Sequence, residues 1–258
     1  MKTADIPPRR RRAGRLGPIA RLLIAVVTAG AVLTGALLLY MAPTLPEARA
    51  ALVTTGAVAF AETSVGLTFG PRQGGARAGL ILYPGAKVPP EAYAPLAATL
   101  AASGYLTVIP PVRFGLALFD EAVAGAAIAA HPEVTRWVVG GHSLGGVAAA
   151  DFVAAHPGAI RGLLMLASFP QSSVDLSGTG MAVTVITASE DPAEAGMLDE
   201  AVRRRYPDTA RFTRIDGGNH EQFAWYTNQP RDGRATLPRI EQQRLIVDAV
   251  LALMRRIE

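Results

Sequence analysis

The sequence predicts an α/β protein with a mostly parallel central sheet, helices on both faces and a membrane-spanning helix ahead of it. Three observations carry this reading. Short, continuous apolar runs such as Gly79-Leu80-Ile81-Leu82-Tyr83 end in turn residues, here Pro84-Gly85, as strands buried on both faces do. These runs alternate with helix-length patterns from about residue 79 onward, and strand–helix alternation is the mark of a parallel sheet covered on both sides. Finally, residues 22–41 (LLIAVVTAGAVLTGALLLYM) form an uncharged, mostly apolar run of 20 residues, about the length that crosses a bilayer core.

Residues 56–69 (GAVAFAETSVGLTF) contain two β-type stretches separated by Glu62-Thr63-Ser64 and predict an N-terminal hairpin. After the strand at 79–83 comes a helix with Tyr93, Leu96 and Leu100 on one face and Gly104 as its stop. The pattern continues with a strand at 105–109, a helix at 116–130, a strand at 137–139, a helix at 143–155 and a strand at 162–166. Beyond these lie a strand at 182–187, a helix at 193–205, a strand at 211–215 and a last helix from 237 to 256. Thr236 is the expected N-cap of that helix, and Ile246, Val250 and Leu253 mark its apolar face. Only about 15 residues separate the strands ending at Leu166 and beginning at Ala182, so a minimal lid and an open pocket are expected.

The formal net charge of +4 is unevenly placed. Lys2, Arg9, Arg10, Arg11, Arg12, Arg15 and Arg21 face only Asp5 before residue 22, so the remainder of the chain is net acidic and nucleic acid is not an expected partner. A basic flank on one side of an apolar helix instead follows the positive-inside rule. The expected organisation is a basic cytoplasmic tail (1–21), a membrane anchor (22–42), a linker (43–55) and an extracytoplasmic domain (56–258). Ala48-Arg49-Ala50 has the small-x-small pattern of a signal cleavage site, which leaves secretion after cleavage as the alternative. With no cysteine, the chain has neither disulfides nor thiolate chemistry.

Gly141-His142-Ser143-Leu144-Gly145 has the form G-x-S-x-G and falls between a strand and a helix, the context in which a serine is forced into a sharp turn with its hydroxyl exposed. Such a serine needs a base. His131 and His156 each precede a proline and read as residues closing a helix, while His142 neighbours Ser143 and must point elsewhere. His220, in the loop after the strand at 211–215, is therefore the candidate base. Asp191, after the strand at 182–187, is the candidate acid to orient it; Glu190 is the alternative, and N-capping is the structural role open to Asp191. Leu144 N–H, with that of Ala86 or Gly85, is expected to form an oxyanion hole. Phe169, Phe223, Trp225 and Tyr226 are candidate pocket residues.

The strings Tyr83-Pro84-Gly85-Ala86-Lys87-Val88, Ala92-Tyr93-Ala94-Pro95-Leu96-Ala97, the segment from Trp137 to Gly146, and Gly217-Gly218-Asn219-His220-Glu221-Gln222-Phe223 resemble the alpha/beta-hydrolase superfamily. Within it they look like an uncharacterised bacterial branch related to dienelactone hydrolases. The resemblance spans about 79–250 and implies a serine, histidine and aspartate triad carried by Ser143, His220 and Asp191, without metal or cofactor. Ala86 stands where that branch has a glycine, and the loop Glu190-Asp191-Pro192-Ala193 departs from its pattern. The expected substrate is a small-molecule ester, a thioester or a lipid-like ester. An envelope acyltransferase with the same triad, or a non-catalytic anchored binding protein, are the alternatives.

Overall fold

Side chains alternate across a strand, so a run apolar at every position has two faces to bury. The computed structural model describes residues 17–258, with residues 37 and 38 by backbone alone, and shows such runs assembled into one eight-stranded sheet. The strands are β1 (Val58–Thr63), β2 (Gly66–Pro71), β3 (Gly79–Tyr83), β4 (Leu106–Ile109), β5 (Trp137–His142), β6 (Gly162–Leu166), β7 (Ala182–Ala188) and β8 (Arg211–Ile215). Their spatial order is β1-β2-β4-β3-β5-β6-β7-β8. The β1/β2 and β2/β4 pairs are antiparallel and every other pair is parallel, so the expected mostly parallel sheet is present with its hairpin at one end.

Two apolar layers follow from the alternation. Leu80, Leu82, Val138, Leu164 and Ile186 face one side, with α3 (Ala94–Ala102) and α8 (Arg239–Arg256). Ile81, Tyr83, Val139, Leu163 and Met165 face the other, with α4 (Val123–Ala130) and α5 (Leu144–Ala155). Ile246, Val250 and Leu253 are fully buried along α8, as their spacing requires.

Several boundaries differ from expectation. The helix at 116–130 begins only at Val123, after two single 3-10 turns, Arg113–Gly115 and Ala117–Phe119. The helix at 193–205 is two short pieces, α6 (Glu194–Met197) and α7 (Glu200–Arg203), because Asp199 caps the second by accepting from Ala201 N–H. Thr236 is not the N-cap of α8; Pro238 takes that place, since a proline bars the preceding residue from the helical region. Between β6 and β7 there are turns alone, which leaves the pocket without a helical lid.

The chain divides into two units, 1–40 and 41–258. The first, among its described residues, is α1 (Pro18–Leu39), of which Pro18–Ala36 is long and apolar enough to cross a membrane or serve as a signal sequence. The basic tail expected over 1–21 lies largely outside the described residues. The segment expected as a linker is part of the second unit, where α2 (Pro46–Ala50) forms and Ala48 is completely buried.

Because Leu253 is fully enclosed between α8 and the sheet, Leu253→Ala leaves a cavity and is expected to lower stability by about 2–5 kcal/mol in urea unfolding.

Candidate active site

β5 ends directly at the G-x-S-x-G turn. Ser143 has φ 52° and ψ −123°, a strained conformation for a side-chain-bearing residue, and it is held there on both sides. Its N–H donates to Leu166 O at 2.9 Å, and its carbonyl accepts from Ser168 Oγ at 2.7 Å. The neighbouring glycines are required by close approach. A Cβ on Gly145 would stand 2.3 Å from Tyr83 O, and one on Gly141 would stand 2.1 Å from the Gly145 carbonyl carbon. The first turn of α5 is thereby pressed onto the end of β3, with the Leu144 N–H free of any intrahelical acceptor.

His220 follows β8, and its Nδ1 lies 2.6 Å from Asp191 Oδ2. Both residues are buried. The other carboxylate oxygen of Asp191 accepts from Ala193 N–H at 2.9 Å, so Asp191 holds its own loop and faces the imidazole at the same time. Glu190 is turned away: its carboxylate accepts from Ser189 Oγ, and its N–H donates to Gly218 O.

Ser143, His220, Leu144, Ala86, Val147, Ala167, Ser168, Phe169, Ala193 and Met197 line one open cavity of about 360 Å³ at the carboxyl ends of the strands. Of the expected aromatic residues only Phe169 lines it. Phe223 and Tyr226 are core residues packed around the His142 ring, at centroid distances of 5.7 Å and 6.2 Å, and Trp225 borders a separate groove with Pro95 and Ile240. Gly85 is also corrected as an oxyanion donor. Its N–H donates to Tyr93 Oη at 2.9 Å, whereas no acceptor among the described residues takes the Ala86 N–H.

His131 and His156 sit at the C-caps of α4 and α5, as their prolines suggested. His142 is fully buried, its ring centroid 4.7 Å from that of His220. Tyr93 Oη accepts from Gly85 N–H and is also hydrogen-bonded to His142 Nδ1 at 2.9 Å, with the phenol carrying its proton. Burial raises the Tyr93 phenol well above its ordinary range and so keeps that proton in place.

Three polar residues around the candidate site carry no site role in the sequence reading. Gln242, on α8, exchanges hydrogen bonds with the backbone of Asn219, accepting at 3.1 Å and donating at 2.9 Å. Asp232 accepts from the N–H groups of His220 and Glu221 at 3.1 and 2.7 Å. Burial pushes the Asp232 carboxyl up against the opposing effect of these donors. Tyr93 is the third. The readable signal was Gln242, a polar residue standing one helical turn before Ile246 on an apolar stripe.

Among the described residues no cluster of His, Asp and Glu is arranged to hold a metal ion.

The sequence pattern of the alpha/beta hydrolase family matches residues 79–244, which include the serine turn, Asp191 and His220. The chain belongs to this family, and membership implies hydrolase activity. Among solved structures, a predicted CIB-like hydrolase from Thermoplasma acidophilum shares the fold with a TM-score of 0.55. It is 17% identical, and the match covers 75% of this chain and 98% of that one. No curated protein matches the chain.

Burial holds the His142 imidazole well below its ordinary value, and the neighbouring His220 acts in the same direction. With the folded pKa below the unfolded one, the unfolded chain takes up a proton that the folded chain refuses, so stability falls as pH drops below about 6.5. Thermal unfolding from about pH 7.5 to 5 is expected to show this fall, and to show a shallower one in His142→Gln. Equal slopes would remove His142 as the cause.

Proposed function

We propose that the chain is a serine hydrolase that cleaves a carboxylic ester or thioester through an acyl-enzyme. The observation that carries this reading is the short Asp191–His220 contact beside a strained, cavity-facing Ser143. In the first step Ser143 Oγ attacks the carbonyl carbon while His220 Nε2 takes the hydroxyl proton. Asp191 fixes the Nδ1–H tautomer and favours the imidazolium that forms. The oxyanion is held by Leu144 N–H and Ala86 N–H, two donors with no acceptor among the described residues. His220 then gives its proton to the leaving alcohol or thiol. In the second step His220 takes a proton from water, the hydroxide oxygen attacks the acyl carbon, and the proton returns to Ser143 Oγ as the acid leaves. Each step is redox-neutral and the enzyme is regenerated.

We read α1 as a single membrane span. The arginine-rich flank supports a cytoplasmic N-terminus and an extracytoplasmic catalytic domain.

A fluorophosphonate probe is expected to label Ser143 in the wild-type chain and to leave Ser143→Ala unlabelled. Asp191→Asn is expected to reduce ester turnover on the order of 10³–10⁴-fold, because it allows the wrong tautomer. Folded protein that neither labels nor turns over an ester series would overturn the proposal.

A further inference from the structure

The segment that follows α1 is built into the domain at the back of the oxyanion loop. Ala42 N–H donates to Lys87 O at 2.7 Å, and Lys87 N–H donates to Gly115 O at 2.7 Å. Two residues on, Thr44 pairs antiparallel with Tyr226, through Leu45 N–H to Trp225 O and Thr227 N–H to Pro43 O, each 3.0 Å. Lys87 is the residue after Ala86, so the chain enters the domain one residue from the rim of the Ser143 cavity. Only Tyr40 and Met41 stand between the last helical residue, Leu39, and the hydrogen-bonded Ala42. At full extension that connection reaches about 10 Å.

Beside this entry point the loop 112–119 presents an apolar tip. Phe114 and Phe119 are 52% and 55% exposed, in edge-on contact at 6.3 Å, and Leu118 is exposed with them. The tip is stiff. Phe114 is held at φ 56°, Lys87 Nζ donates to its carbonyl at 2.7 Å, Arg113 pairs with Asp120 at 2.7 Å, and Ala117 is fully buried beneath the turn. Gly115, in the middle of the loop, lies so close to Met41 that an added Cβ would meet its sulfur at 2.7 Å. More than half of each ring is left in water by a braced backbone, and a bilayer interface is an environment that would bury the remainder.

We propose that Phe114, Leu118 and Phe119 lie in the interface of the membrane that α1 spans, and that the substrate is an acyl ester of a lipid in that membrane, entering the cavity past Ala86. The substrate class rests on the serine-hydrolase and membrane-span readings given above. The cavity wall suits an acyl chain, since Leu144, Val147, Ala167, Phe169 and Met197 are all apolar. A further consequence is that Ala48-Arg49-Ala50 is not a cleavage point. Cutting there would remove the segment that donates to Lys87 O, together with the buried Ala48.

The test uses the full chain in phosphatidylglycerol–phosphatidylethanolamine vesicles. Because the protein has no cysteine, Phe119→Cys accepts one environment-sensitive fluorophore, with Glu133→Cys, before the start of β5, as the control. Blue-shifted emission at 119, quenched by doxyl lipid, with water-like emission at 133, is expected; water-like emission at both overturns the bilayer contact. In Phe114→Ser/Phe119→Ser, turnover of a vesicle-embedded fluorogenic phospholipid ester is expected to fall about tenfold or more, with p-nitrophenyl butyrate hydrolysis within about twofold of wild type. Equal loss on both esters, or loss on neither, overturns delivery from the membrane. If the wild-type chain cleaves neither ester while the 119 label is embedded, the hydrolase reading fails with its substrate class and the membrane contact stands. Chain recovered from membranes without residues 1–50 overturns retention of the anchor.

Discussion

The approach of the first turn of α5 to the end of β3 is the constraint on which the site depends. A helix backbone can touch a strand's terminal carbonyls only if no side chain intervenes, and Gly145 against Tyr83 and Pro84 supplies that contact. Gly141 lets the chain reverse within the same space, and Gly146 allows Ser168 to close over the turn. Once these backbones are in contact, Leu144 and the loop carrying Ala86 line the same cavity as Ser143, because β3 and β5 are adjacent and in register from Gly79/Trp137 to Tyr83/Gly141. The strain at Ser143 is held by this packing rather than by any property of serine.

The far wall of the cavity is organised by hydrogen bonds. Asp191 and His220 lie in loops after adjacent strands, and those loops are tied together by Glu190 N–H to Gly218 O and Gly217 N–H to Ser189 Oγ. Gln242 reaches from α8 into the same loop, so the helix that closes one apolar layer also fixes the histidine backbone. Tyr93 does the equivalent on the opposite side by bridging Gly85 and His142. Sites supported in this way hold their geometry without relying on the flexible side chains that touch a substrate.

The sequence made the parallel strands legible because a strand buried on both faces leaves an uninterrupted apolar run, as at 79–83 and 162–166. The serine turn was legible for a related reason, since glycines needed for backbone contact cannot be hidden by substitution. Helix boundaries were less so. In α4 and its approach, alanine occupies so many positions that no face stands out, and one aspartate, Asp199, is a faint mark for the break within 193–205. The docking of residues 42–50 runs through backbone groups paired with partners as distant as Trp225, and backbone pairing leaves no mark on residue type. Phe223 and Tyr226 show the same limit from the other side: an aromatic residue near the His220 loop in sequence can be filling core space around His142.

The two ends of the sheet have a consequence for how copies of the protein behave near one another. β8 ends the sheet on one side and carries Arg211 and Arg214, the latter paired with Glu194, while Arg203 lies over the Phe212 ring at 4.3 Å. β1 ends it on the other side and carries Glu62 on its exposed half. Unpaired strand edges are templates for pairing with another molecule, and charge placed along them is a common guard. A second chain approaching to extend the sheet therefore meets arginines along β8 and a carboxylate on β1 rather than a bare apolar ladder.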